Sequence, residues 1–116
     1  MNDKLPFSSA VSVDRLVFLS GEIGMDKSGA LDQAIEAQAQ ATLDNIQRTL
    51  DRLDLTRADI VKCTIMLHDM AEWHRFNTVY LKFFDGLPLP ARSAFESSSL
   101  ALGAKVEIEC VAVMPD

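Results

Sequence analysis

The chain has 116 residues and a mass of 12.8 kDa, which fits one domain over 1–116; 48% hydrophobic and 24% charged residues exclude disorder. Eleven basic against 17 acidic residues give a net charge of −6 and a pI near 4.8, which argues against nucleic acid and anionic membranes as partners. No apolar run reaches the roughly 18 residues that span a bilayer, and Met1 to Pro6 lacks the basic start and apolar stretch of a signal peptide, so a cytoplasmic domain is expected.

Val11 to Ser20 is rich in β-branched and aromatic residues and predicts strand, with a hairpin turn near Asp14-Arg15. Asp26 to Gly29 is a turn signal. A long helix is expected from Asp32 as N-cap to about Leu53-Asp54, because Ile35, Ala39, Leu43, Ile46, Leu50 and Leu53 recur every three or four residues. Residues 60–68 alternate with period two, with Val61, Cys63, Ile65 and Leu67 on one face and Lys62, Thr64, Met66 and His68 on the other. Asp69 and Glu72 have capping-box spacing and open a second helix to about Phe84, burying Trp73, Phe76, Tyr80, Phe83 and Phe84. Asp85 to Pro90 is a loop. Ala91–Ser97 and Lys105–Val113 are the last strands, joined across a turn containing Gly103.

The last strand carries Val106, Ile108, Cys110, Ala112 and Met114 on one face. Lys105, Glu107, Glu109, Val111 and Val113 lie on the other. An apolar face for two helices and a mixed face opposite describe an α+β domain with helices on one side of a sheet. Met66, Val111 and Val113 are poor choices for a solvated surface, so the mixed face is expected to meet another subunit; a half-wet open sheet in a monomer is the alternative.

No GxGxxG, P-loop, GxSxG or HExxH motif is present. Two histidines, His68 and His74, lack a metal-ligand pattern and are expected at the surface. The two cysteines, Cys63 and Cys110, form no disulfide framework; on apolar faces they are expected as core fillers with raised pKa values. What remains is Arg92, after the proline loop and alternating with Ala94, whose planar fork suits a carboxylate. Glu107 lies on the mixed face of the next strand, where a carboxylate can orient or deprotonate water. The competing expectation is a surface ion pair of Arg92 with Glu107 or Glu109.

These motifs together resemble the RidA/YjgF family of reactive-intermediate deaminases. Pro90-Ala91-Arg92-Ser93 followed by Lys105-Val106-Glu107-Ile108-Glu109 resembles its C-terminal signature. Pro6-Phe7-Ser8-Ser9-Ala10-Val11 resembles its P-Y-S-Q-A-V, Leu19 to Ile23 its S-G-Q-I, and Asp59 to Thr64 its D-I-V-K-x-T. Phe76-Asn77, Tyr80 and Phe83-Phe84 match its second-helix pattern, so the likeness covers nearly the whole chain.

The resemblance implies a chorismate-mutase-like α+β fold, one mixed sheet with two helices on one face, in a homotrimer with a cleft at each subunit interface. It implies hydrolysis of 2-imino acids or enamines to 2-keto acids and ammonia, with no metal or organic cofactor. Position by position, Arg92 falls on the family's carboxylate-binding arginine and Glu107 on its water-positioning glutamate. Ser20 and Gly21 match the pocket segment, and Asn77 the helix asparagine. Phe7 stands where tyrosine is usual, Ala94 where cysteine is usual, and Glu22 replaces glutamine; these departures bear on substrate choice. The rival expectation is a non-catalytic trimer on the same scaffold that binds small carboxylates or another protein.

Overall fold

The computed structural model describes residues 5–116. A hairpin opens the chain: β1 (Ala10–Val13) and β2 (Leu16–Glu22) pair antiparallel across Asp14-Arg15. Asp14 takes φ 53°, a left-handed turn conformation that Asp tolerates better than most side chains. Helix α1 (Ile35–Arg52) follows. β3 (Ile60–Leu67) leads through a 3-10 turn at Met70–Glu72 into α2 (Trp73–Phe83). β4 (Ala91–Glu96) and β5 (Val106–Val113) complete one five-stranded sheet in the order β1-β2-β5-β3-β4. Only the β3–β4 pair is parallel, so the sheet is mixed.

The elements match the sequence expectations in kind and order, and the differences have local causes. Asp32 does not cap α1; its carboxylate accepts from the Ala34 amide (3.0 Å) in a turn just before the helix. Leu53 leaves the apolar stripe because α1 has ended, and it is exposed. The Asp69–Glu72 pair makes only half a capping box. Asp69 accepts from the Ala71 amide (2.9 Å), while the Glu72 carboxylate turns to Lys105 (3.7 Å). A register shift at Ile60–Lys62 puts Ile60 in the core and leaves Val61 exposed, since one extra residue in a strand reverses every facing before it. β4 and β5 do not pair, because β3 lies between them.

Both helices bury one face against the same side of the sheet. Ile35, Leu43, Ile46 and Leu50 of α1 meet Ile65, Leu67, Val106 and Ile108, and Phe76 and Phe84 fill the space under α2. Met114 and Trp73 are only half-buried at the margin of this core. Gln38, a buried polar residue on α1, is satisfied at both ends: Nε2 donates to the Asp32 carbonyl (2.6 Å) and Oε1 accepts from the Lys105 amide (2.9 Å).

The opposite side of the sheet carries no helix. Cross-strand register places Val11, Phe18, Val111, Lys62 and Ala91 in one row there, and Met66, Glu107 and Phe95 in another. Val11, Val13, Leu16, Phe18 and Phe95 are all exposed on this face. The face therefore exposes apolar side chains on β1, β2 and β4, with the charged Lys62, Glu107 and Glu109 on the strands between them, a mixture that suits contact with another protein surface better than bulk water.

Candidate functional site

The residues singled out from the sequence fall into two groups on opposite faces of the sheet. Arg92 is aligned with Cys63 across the parallel β3–β4 pair, so it points to the side covered by α2. There its Nη1 donates to Oδ1 of Asn77 (2.8 Å). Its guanidinium carbon lies 4.8 Å from the Trp73 ring centre and 4.7 Å from that of Tyr80. Trp73, Asn77 and Tyr80 are spaced i, i+4 and i+7, one face of α2, which is why a single helix can hold the guanidinium at three points. Two aromatic contacts and a hydrogen bond restrict a side chain that otherwise loses up to about 2 kcal/mol of rotamer entropy on immobilisation. The described residues supply no hydrogen-bond partner to Nε or Nη2, so one edge of the fork remains open for an anion. Arg92 makes no ion pair with Glu107 or Glu109; the intervening β3 separates the strands, which overturns the surface-pair expectation.

A cavity of about 260 Å³ opens beside this arginine, lined by Asn77, Tyr80, Leu81, Leu89, Pro90 and Arg92. Ala94, two residues along β4, is aligned with Ile65 and packs against the core rather than lining that cavity.

The second group surrounds Glu107. Its register partner on β3 is Met66, on the helix-free face. Gly21 approaches so closely that a Cβ there would collide with the Glu107 carboxylate; a glycine is what lets β2 pass. The register of β2 on β5 shifts between Leu19 and Glu22, bending the strand at this point. Ser20 joins the N-terminal segment to the same place, its amide donating to the Ser9 carbonyl (3.0 Å) and its hydroxyl to that of Ser8 (2.6 Å). Phe7 precedes these residues and is exposed. Burial, reinforced by the Glu109 charge, raises the Glu107 pKa above the usual carboxylate value. Glu22 is raised as well, chiefly by burial, with Arg52 opposing and Glu107 adding to the shift. Two carboxylates with raised pKa values thus stand near one another beside a glycine and a serine.

Cys63 and Cys110 are register partners on β3 and β5, with Sγ atoms 3.4 Å apart and residue exposures of 1% and 3%. Both are free thiols in the core, as expected. The expected raised pKa holds for Cys110 alone. Cys63 is lowered, chiefly by the hydrogen bond from Cys110, against the raising effect of its burial and with the nearby Arg92 charge adding to the shift. The Tyr80 hydroxyl is itself buried without a partner among the described residues, and burial raises its pKa far above the phenol value. His68 and His74 are exposed and belong to neither group.

The sequence pattern identifies Trp73 and Tyr80 only as core aromatics, yet both serve Arg92. Their common spacing with Asn77 was the available signal, and it becomes informative only when β4 is known to lie beside α2. Among the described residues no cluster of His, Cys, Asp and Glu could hold a metal ion.

The chain matches the family model described as Endoribonuclease L-PSP over residues 1–114. It is 37% identical over 111 residues to the chloroplastic Reactive Intermediate Deaminase A of Arabidopsis thaliana, spanning 94% of this chain but only 59% of that protein's length. The 2-iminobutanoate/2-iminopropanoate deaminase of Mus musculus is 36% identical over 110 residues, covering 93% of this chain and 80% of that one. In three dimensions the YjgF gene product of E. coli superposes with a TM-score of 0.90 at 32% identity, covering 95% of this chain and 89% of that chain. One mixed sheet with two helices on one face is the chorismate-mutase-like α+β arrangement, and with these likenesses along its length the chain belongs to the RidA/YjgF family.

Proposed function

We propose that the protein hydrolyses 2-imino acids, or their enamine tautomers, to 2-keto acids and ammonia, in a homotrimer, without metal or organic cofactor. The observation that carries this reading is Arg92: an arginine stacked on two rings, pinned at one nitrogen and open along its other edge is built to hold a planar anion. Relatives named as imine deaminases supply the class of substrate. A net charge of −6 gives RNA no basic track to follow.

Arg92 and Glu107 face opposite sides of the sheet, so one chain alone does not assemble both into a cleft. The apolar helix-free face offers the means: packing it against a second copy brings Arg92 of one protomer toward Glu107 of the partner subunit. Arg92 then clamps the substrate carboxylate in two parallel hydrogen bonds, fixing the imine carbon near a water held by Glu107. As the water attacks, Glu107 takes its proton. The imine nitrogen takes up a proton from solvent to give a carbinolamine; Glu107 then returns its proton to the amino nitrogen, and as the hydroxyl loses its proton to solvent the C–N bond breaks, releasing ammonia and the 2-keto acid. Imines hydrolyse readily in water, so positioning and exclusion of bulk solvent carry most of the acceleration. Ser20 and Gly21 shape the wall around Glu107, Phe7 closes it from the N-terminal side, and Asn77 keeps Arg92 in place. A cytoplasmic site of action accords with the acidic composition; no helix among the described residues is long and apolar enough to cross a membrane.

The activity is tested with imines generated in situ by an amino-acid oxidase, with semicarbazide as competitor. Accelerated decay of alanine-, leucine- or phenylalanine-derived imines is expected. Rates equal to buffer for all three overturn the reading in favour of a carboxylate-binding or protein-interaction trimer. Sedimentation is expected to give three chains of 12.8 kDa at micromolar concentration, and a lone 12.8 kDa species removes the shared cleft.

The thiols are expected to be dispensable. Cys63 and Cys110 lie behind Arg92 in the core and touch no open surface. Changing Cys63→Ser together with Cys110→Ala lowers the melting temperature by a few degrees, as for a typical core change of roughly 0.5–3 kcal/mol, and leaves turnover within about threefold. Full inactivation of a folded trimer refutes this.

A further inference from the structure

We infer that Leu81 and Leu89 form a side-chain subsite that selects 2-imino acids with branched or aromatic apolar side chains over those whose side chains have one or two carbons; the inference rests on the proposed deaminase reading. Leu81 and Leu89 are 53% and 58% exposed, and what sets them apart from the chain's other exposed leucines is that both line the cavity beside Arg92. They flank the 260 Å³ cavity from two different elements, Leu81 from α2 and Leu89 from the loop before β4, and Pro90 joins them as a third apolar wall. The same cavity carries polar groups: Asn77 and Arg92, already bonded to one another, and Tyr80, whose ring lies 4.7 Å from the guanidinium.

A cavity lined by one cation and by two leucines and a proline matches an amino-acid-derived keto or imino acid, which joins a carboxylate to an apolar substituent. With its carboxylate on the open edge of Arg92, the substituent on the 2-carbon extends along Leu81 and Leu89. A methyl group leaves most of that wall wet, whereas an isobutyl or benzyl group covers it. An anionic substituent meets no second cation among the lining residues. Pro90 fixes the backbone immediately before β4, so the wall and the arginine keep their spacing.

The molecule carries its own probe. Trp73 is the one tryptophan of the chain, and its ring lies 4.8 Å from the Arg92 guanidinium, so its fluorescence responds to occupancy of the fork. Titration of the intact assembly with pyruvate, 4-methyl-2-oxopentanoate, phenylpyruvate and 2-oxoglutarate, as stable products of the reaction, measures the preference directly. Each additional buried methylene contributes severalfold, so 4-methyl-2-oxopentanoate and phenylpyruvate are expected to bind roughly 10-fold or more tightly than pyruvate. 2-Oxoglutarate is expected to bind no better than pyruvate. Leu81→Asn and Leu89→Ser, singly and together, lower the ratio of branched-chain to pyruvate affinity, to within about threefold in the double variant. Equal affinities in the wild type, or a preference that survives both changes in a protein of native oligomeric state, overturn the subsite while leaving the deaminase reading intact. Binding that persists undiminished in Arg92→Ala, or no binding of any keto acid, overturns the carboxylate clamp itself and the subsite with it.

Discussion

Arg92→Ala is expected to lower kcat/KM for a 2-imino acid by roughly 30-fold to several thousand-fold, and to weaken 2-keto acid binding in parallel, while the protein stays folded and assembled. The magnitude follows from truncating one partner of a hydrogen-bonded ion pair in a desolvated cleft, on the order of 2–5 kcal/mol. The geometry sharpens the expectation. Arg92 lies on an edge strand, half-buried, with its bonds directed to Asn77 and the two rings rather than into the core, so its removal costs little packing. Arg92→Lys retains the charge but not the planar fork, nor the stacking on Trp73 and Tyr80, and falls between wild type and alanine. Had Arg92 been a surface ion-pair residue, its loss would cost only about 0–1 kcal/mol, and in stability alone. Imine turnover beside keto-acid titration distinguishes the outcomes; unchanged turnover and affinity in Arg92→Ala end the deaminase reading.

Glu107→Gln is expected to separate chemistry from binding. Glutamine keeps the size and one hydrogen-bond acceptor but cannot take a proton from the attacking water, and general-base catalysis is typically worth 100-fold or more, about 10²–10⁴. A fall of that order in kcat, with keto-acid affinity changed little, is the predicted signature. The pH profile provides a second readout. Burial and the Glu109 charge raise the Glu107 pKa, and a base works only when ionised. Activity in the wild type therefore declines as pH falls through that raised value, at a higher pH than for an ordinary glutamate, and recovers above it. Glu107→Gln removes this acid limb. A variant that retains both the rate and the limb assigns the proton transfer elsewhere, and neighbouring Glu22, also raised by burial, becomes the next residue to change.

The elements themselves were determined by local pattern. The stripe from Ile35 to Leu50, the alternation from Val106 to Ala112 and the aromatic run from Phe76 to Phe84 each sort apolar from polar residues at one period, and each became the expected helix or strand with the expected side buried. The uncovered mixed face was legible for the same reason, because alternation alone assigns Glu107, Val111 and Val113 away from the helices. Where periodicity breaks, the sequence misleads: the register shift at Ile60–Lys62 exchanges Ile60 for Val61 in the core, and only the strand pairing on β5 reveals it.

Strand order was beyond the sequence, and strand order decides the site. Arg92 and Glu107 lie on consecutive strands of the chain, yet the parallel crossover through α2 leaves β3 between those strands, while alternation along each strand turns the two side chains to opposite faces. Nothing in the spacing of residues 92 and 107 encodes that, since adjacency in a sheet is set by long-range packing of α1 and α2 on one side. The same packing makes Trp73 and Tyr80 partners of Arg92 rather than mere core, and places Leu81 beside Leu89. The residue types capable of chemistry were readable in the chain because carboxylate recognition and proton transfer demand particular side chains. Which of them meet was decided by the tertiary structure, because contact between distant residues depends on how elements pack and not on the local periods that build them.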